Sequence, residues 1–308
     1  MIERRCPYNF DVHKLQEVAW HLSRQIIKMT TEAGSGHPSS SLSAIDLMAA
    51  LYFGGIMCYR PEEPDWPERD RFILSKGHAA PALYAVLAEA GFFDPQMLLS
   101  LRKLGSPLEG HPNMRVLPGV EASTGSLGQG LSIGIGHALA ARLNMFDYRV
   151  YVMIGDGEID EGQIWEAAAL APKLNLSNLT VILDNNRFQQ TGPVTEVMPT
   201  IQPYLDKWQS FGWQVNEVEG HYMERVLDTF YDVKGVSEQP QFIVAHTSKG
   251  RGLSPFIEDS TNHMHGKALK PDQMEKTLEE LDEHKYDGIY SADEFTPELA
   301  VTEKYGKV

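Results

Sequence analysis

Cysteine is scarce. The 308-residue sequence has two, Cys6 and Cys58, with no CxxC spacing and no readable disulfide framework, so a reducing compartment is expected. Long apolar runs are missing too. No stretch reaches the ~18–20 residues of a membrane-spanning helix, and the opening "MIERRCPYNFDVHK" has no apolar signal core. The expectation is a cytoplasmic protein that does not engage a membrane. Basic residues are outnumbered: 27 Lys and Arg against 42 Asp and Glu give a formal net charge of −15. Binding to a phosphate backbone needs clustered Lys and Arg, so nucleic acid is a poor partner. A phosphorylated ligand would need local donors or a metal. Neither internal repeats nor low-complexity linkers are seen.

What remains is ordinary globular composition, 42% hydrophobic and 22% charged, ample for a sizeable core. Leu15, Val18, Ala19, Leu22, Ile26 and Ile27 recur at helical spacing. Further helices are expected over 41–53, over 79–91 with Gly91 as its stop, and over 128–145. After Arg149 the rhythm changes. "RVYVMIG", "NLTVILD", "WQVNEV" and "QFIVAHT" read as strands, separated by helical stretches. Short apolar strands alternating with helices predict an α/β fold, a parallel β-sheet with helices on both faces. In such sheets ligands bind outside the carboxyl ends of the strands. That places Gly155–Asp160, Asp184–Gln190 and Thr247–Arg251 on one edge. The expected division is a binding domain over 1–270 and an acidic helical tail over 271–308.

The segment "IGDGEIDEG" follows an apolar strand and holds four acids. Asp156 sits just past that strand, and Asn186, in "LDNNR", just past the next. One carboxylate and one amide oxygen suit a hard divalent cation such as Mg²⁺ or Ca²⁺. Two side chains cannot fill its shell, so a diphosphate supplying further oxygens is the natural complement. Gly157 would bring an N–H close to phosphate. Glu158 and Asp160 are most simply solvated acids at a helix start. Four histidines stand beside glycine: His37 in "SGHPSS", His78 in "LSKGHAAP", His111 in "EGHPN" and His265 in "HMHGK". Histidine exchanges donor and acceptor roles near neutral pH, which suits proton transfer among hydroxyl groups. The other histidines, His13, His21, His137, His221, His246, His263 and His284, read as structural or surface residues.

The GDG followed by an Asn-rich strand end resembles the thiamine-diphosphate signature. "SGHPSSS", "RFILSKGHAAPALYAVLAEAG", "EGHP", "STGSLGQGLS", "HTSKGRG" and "HGK" stand in the order found in transketolase. The resemblance covers roughly residues 12–270 and implies the thiamine-diphosphate-binding fold, with thiamine diphosphate and Mg²⁺ as cofactors (Ca²⁺ or Mn²⁺ as substitutes). In that family Asp156, Asn186 and the main-chain carbonyl of Phe188 would hold the metal. His78, Gly125, Ser126, Leu127, Gly157, Asn186, Gln190, Lys249 and His265 would contact the cofactor. His37, Ser40, His111 and His265 would bind the sugar, with the three histidines catalytic. Glu161 matches a glutamate of the family's subunit interface, or is an acid favoured by the helix dipole.

The resemblance implies transfer of a two-carbon ketol unit from a ketose, phosphorylated or similarly anionic, to an aldose, the cofactor carrying the hard chemistry. The family's activating glutamate comes from a second domain, and the sequence stops near where that domain would begin. The expectation is therefore the diphosphate-binding subunit of a split transketolase. Its partner would be a complementary C-terminal, pyrimidine-binding subunit, the two forming a heterotetramer. A truncated piece of a longer chain is the alternative. Other readings are the alpha-type subunit of a 2-oxo-acid dehydrogenase, a deoxyxylulose-phosphate synthase, or a non-catalytic binding protein. The histidine set favours sugar chemistry over these.

Overall fold

The computed structural model describes residues 6–236, 238–252, 257, 262 and 264–283. Its first helix, α1 (Val12–Ala33), starts at Asp11, whose side chain accepts the Lys14 amide at 2.9 Å, satisfying an otherwise orphan donor. Its apolar stripe, from Leu15 to Ile27, is buried as the spacing predicts. The helix expected over 41–53 is two, α2 (Pro38–Leu42) and α3 (Ile45–Phe53). Then come β1 (Arg71–Leu74), α4 (Ala80–Glu89) and α5 (Gln129–Leu143). The alternating part follows as β2 (Val150–Gly155), α6 (Gly162–Lys173), β3 (Leu179–Asn185), α7 (Val194–Val197), α8 (Tyr204–Phe211), β4 (Gln214–Glu219), α9 (Met223–Lys234) and β5 (Gln241–His246). The helix expected at the start of the tail is α10 (Pro271–Glu283). It lies on α1, where Trp20 Nε1 donates to Asp282 at 3.1 Å and Leu281 is buried.

The strands form one sheet in the order β1-β2-β3-β5-β4, parallel throughout. Successive strand side chains point to opposite faces, and the two cores follow that alternation. Tyr151, Met153, Ile182 and Ile243 join α1, α3, α4 and α9 on one face. Val150, Val152, Val181 and Val244 join α5, α6 and α8 on the other. The continuous apolar runs of β2, β3 and β5 are thereby explained, since both faces are covered. Strand β1 was not among the four that the sequence pattern gives. Its four residues are all buried, too few to display a period. Because every strand is parallel, the carboxyl ends of β1, β2, β3 and β5 share one edge, as expected for a binding site. At the opposite edge Asp70, just before β1, accepts the Cys58 and Arg149 amides at 2.8 and 2.7 Å.

The cysteine expectation is corrected. Cys6 and Cys58 are joined as a disulfide, which fastens the segment before α1 to the loop between α3 and β1. No motif announces it, because the two residues meet only once α1 and α3 have packed. The bond removes the compositional argument for a reducing compartment. Among the described residues no helix is long and apolar enough to cross a membrane. His263, His284 and the tail beyond residue 283 lie outside the described residues.

Helix α5 reaches the sheet through small residues. A Cβ on Gly134 would lie 2.4 Å from Val152 Cγ2. Gly134→Ala should therefore destabilise the fold by about 1–3 kcal/mol through overpacking, despite alanine's higher helix propensity. Denaturant unfolding followed by circular dichroism would measure it.

Candidate functional site

A cavity of about 310 Å³ opens at the carboxyl edge of the sheet. Its walls bring together most of the residues singled out in the sequence: His37, Ser40, His78, His111, Gly125, Leu127, Asp156, Gly157, Asn186, Phe188, Gln190 and His265. They come from seven separate segments of the chain. Two expected residues stand off the wall. Ser126 is exposed between Gly125 and Leu127. Lys249 is buried behind His265, its Nζ 2.9 Å from His265 Nδ1.

Asp156 and Asn186 emerge from the neighbouring strands β2 and β3 and converge on one point. The Phe188 amide donates to Asp156 Oδ2 at 3.1 Å and to Asn186 Oδ1 at 3.2 Å. Residue 188 thus closes the ring formed by the two side chains. Asp156 is 2% exposed, and its Oδ1 has no hydrogen-bond partner. Burial pushes its carboxyl well above the ordinary range, and the nearby Asp184 pushes it further. A buried acceptor without a donor and short of positive charge is what a divalent cation satisfies. The donor set shown, one carboxylate and one amide oxygen, is hard and oxygen-only and fits a divalent cation such as Mg²⁺; at residue 188 the structure presents the main-chain N–H to both side chains, not the expected carbonyl. Among the described residues no cluster of three or more His, Cys, Asp or Glu side chains forms a self-sufficient metal cage. An ion here would draw the rest of its shell from ligand oxygens or water.

The histidines form the other wall. Ring centroids of His37 and His78 are 5.2 Å apart, those of His37 and His265 5.3 Å, and those of His78 and His265 5.9 Å. His111 packs on Gly125, where a Cβ would come within 3.0 Å of its ring. Gly266 has φ +72, and a Cβ there would sit 3.1 Å from His37 Nε2, so glycine alone serves at both contacts. Burial holds His37 down to about 4 and His265 to about 3, with Arg102 and Lys249 as the leading charges respectively. Burial and Lys76 hold His78 well below its ordinary value, and burial and Arg102 lower His111. All four are therefore neutral imidazoles at pH 7, each with one donor and one acceptor nitrogen. Lysine only donates, so its contact makes Nδ1 of His265 the acceptor and puts the ring proton on Nε2. His37 Nδ1 is buried without a partner.

Three features escaped the sequence reading. Lys76, at the end of β1, lies on the cavity wall and forms a buried ion pair with Asp184 of β3. It also donates to the Ser40 carbonyl at 3.1 Å. The signal was its place in "LSKGH", between a strand end and a glycine-histidine pair. Second, Asp46 of α3 is buried and takes two bonds from Arg251, at 2.8 and 2.9 Å, and one contact of 2.8 Å from His221. Burial alone would raise its carboxyl, but Arg251 and His221 hold it below the ordinary value. This pair fixes the turn that carries Lys249. Third, Glu158 is not a solvated acid. It is 2% exposed, and its carboxylate accepts the Gly128 amide at 3.0 Å, the Gly155 amide at 3.2 Å and the Ser75 hydroxyl. The chain turns after Gly155 and folds Glu158 back under the cavity. Asp160 is part-buried and accepts from Gln189 at 2.6 Å. Glu161 is exposed at the residue preceding α6.

The lowered histidines have a consequence for stability. Each is harder to protonate folded than unfolded, where the value is about 6.5. Between pH 6.5 and 4 the unfolded chain therefore binds more protons, and stability falls as pH falls. The thermal midpoint of His37→Asn should decline less steeply than wild type between pH 7 and pH 4, as differential scanning calorimetry would record.

Comparison with known proteins gives the family. Residues 19–306 match the family model "Transketolase, thiamine diphosphate binding domain". The chain is 39% identical over 260 residues to a subunit of the apulose-4-phosphate transketolase of Phocaeicola vulgatus, covering 84% of this chain and 91% of that one. It is 42% identical over 238 residues to the 6-deoxy-6-sulfo-D-fructose transketolase subunit SqwG of a Clostridium species, covering 76% and 86%. The solved transketolase of Campylobacter jejuni superposes with a TM-score of 0.82 at 28% identity, over 96% of this chain and 46% of that one. The chain likewise spans 43% of the length of the animal transketolases it matches. It belongs to the transketolase family, and within that family it corresponds to the thiamine diphosphate-binding domain.

Proposed function

We propose that this chain is the diphosphate-binding subunit of a two-subunit transketolase that moves a two-carbon ketol unit from a ketose to an aldose. The observation that carries the reading is its match to nearly the full length of two relatives named as transketolase subunits, against less than half of undivided transketolases. The names of those relatives carry a phosphate and a sulfonate, which favours a ketose with an anionic tail.

Asp156, Asn186 and the main chain at Phe188 would hold Mg²⁺, with Ca²⁺ or Mn²⁺ as substitutes, and the Gly157 amide would meet the diphosphate. When bound, thiamine diphosphate supplies the carbanion chemistry that cleaves the bond beside the ketose carbonyl. The chain's own part is positioning. Neutral His37, His111 and His265, with Ser40, would hold sugar hydroxyls in both donor and acceptor roles and pass protons between them. Lys249 fixes the tautomer of His265, so that Nε2 donates. His78, Gly125, Ser126, Leu127 and Gln190 would border the cofactor.

The cavity's acids among the described residues are Asp156 and Glu158. Asp156 faces the metal position, and both oxygens of Glu158 are already bonded. The carboxylate that activates the aminopyrimidine would come from a complementary subunit, in a heterotetramer with each site between unlike chains, a reading supported by the relatives named as transketolase subunits. A cytoplasmic location is part of the same proposal.

Two outcomes follow. Ketol transfer should require this chain, the complementary subunit, thiamine diphosphate and Mg²⁺ together; robust transfer by this chain alone would refute the division of labour. Asp156→Asn should lower transfer at least about 100-fold, as expected for the loss of a charged group at a binding centre. Without ligands the same variant should melt no lower than wild type, because it removes an uncompensated buried charge. Steady-state assays and thermal shift would check both.

A further inference from the structure

We infer that Glu158 is a positioning residue of the cofactor site, locking the metal loop, the Gly125–Gly128 loop and the end of β1 into one rigid frame. The inference rests on the functional reading above and adds to it a role for an acid whose two oxygens are both bonded within the chain.

The hydrogen bonds run toward the Glu158 carboxylate. Gly130 N–H donates to Ser75 Oγ at 3.1 Å. The Ser75 hydroxyl in turn donates to Glu158 Oε1. The same oxygen accepts Gly128 N–H at 3.0 Å, and Oε2 accepts Gly155 N–H at 3.2 Å. Three donors converge and no acceptor does. An ionised carboxylate suits that arrangement and an amide does not, because a glutamine NH₂ would face a donor.

Each donor belongs to a different part of the site. Gly155 immediately precedes Asp156. Gly128 ends the loop that begins at Gly125 and leads into α5. Ser75 precedes Lys76, the partner of Asp184, and the Gly77–His78 turn. A Cβ on Gly130 would come within 2.3 Å of Ser75 Oγ, so these segments are in direct contact, and no water layer separates them. Loops tied in this way are ordered before a ligand arrives. The ordering entropy then falls on folding and not on binding, which raises affinity.

The test compares thiamine diphosphate affinity with thermal stability in the full chain assembled with its complementary subunit, at saturating Mg²⁺, for Glu158→Gln, Ser75→Ala and Asp70→Asn. Asp70 is a buried acid that also accepts backbone amides, but at the far edge of the sheet. Calorimetric titration should give a dissociation constant raised about tenfold or more for Glu158→Gln, and raised to a smaller degree for Ser75→Ala, in keeping with lost bonds to a charged group. Asp70→Asn should lower the melting point and leave the affinity unchanged. If Glu158→Gln does not fold, Ser75→Ala decides. Wild-type affinity in the folded Glu158 and Ser75 variants, with melting points lowered as in Asp70→Asn, would overturn the inference and leave the functional reading standing. A wild-type assembly of this chain with its complementary subunit that binds no thiamine diphosphate would overturn both.

Discussion

Two carboxylates buried at the ends of adjacent strands set the terms for this site. Asp156 follows β2 and Asp184 is the last residue but one of β3, in a parallel pair whose register places Gly155 opposite Asp184. Charges this close and this dry cannot both persist without compensation. Lys76 answers one of them. Ser43, at 2.6 Å, and Thr247 also donate to Asp184. Asp156 receives the Phe188 amide on one oxygen and nothing on the other. The fold thus neutralises one acid from within and leaves the second with an unpaired oxygen, the position that the proposed function gives to a divalent cation. The sheet order, the burial and the turn after Gly155 all serve to keep that demand in place.

The same positive charges act on the opposite wall. Lys76, Lys249 and Arg102 make protonation of the histidines harder, on top of their burial. A pocket that is short of positive charge at one end and resists it at the other sorts its ligands by part. A metal-bound diphosphate suits the Asp156 end, and neutral hydroxyl groups suit the histidine end. In the transketolase reading these are the two ends of the reacting assembly. Neutral imidazoles also need not lose a proton before they accept one, which is the property that proton exchange with sugar hydroxyls requires.

Much of this was legible in the sequence. Asp156 and Asn186 could be paired because two parallel strands must deliver their ends to one edge, and the cavity contains both. The histidines were legible through their glycine neighbours, and the packing of Gly125 on His111 and of Gly266 on His37 explains why those glycines are there. What escaped was whatever depends on contacts distant in sequence. The Lys76–Asp184 pair joins residues 108 apart, and no local pattern links them. Cys6 and Cys58 meet for the same reason. Strand β1 was too short to show alternation. Glu158 was misread because an acid after a glycine turn is ordinarily solvated. Its burial is set by Ser75 and Gly128, which lie in other segments.

The central claim is that the buried Asp156 makes cofactor binding conditional on a divalent cation. It is tested most directly by titrating thiamine diphosphate into the wild-type chain assembled with its complementary subunit by calorimetry, with Mg²⁺ and then with a chelator. The account predicts binding with Mg²⁺ and its loss on chelation, since the diphosphate would then meet an uncompensated carboxylate. Equal affinity in the two conditions would contradict it.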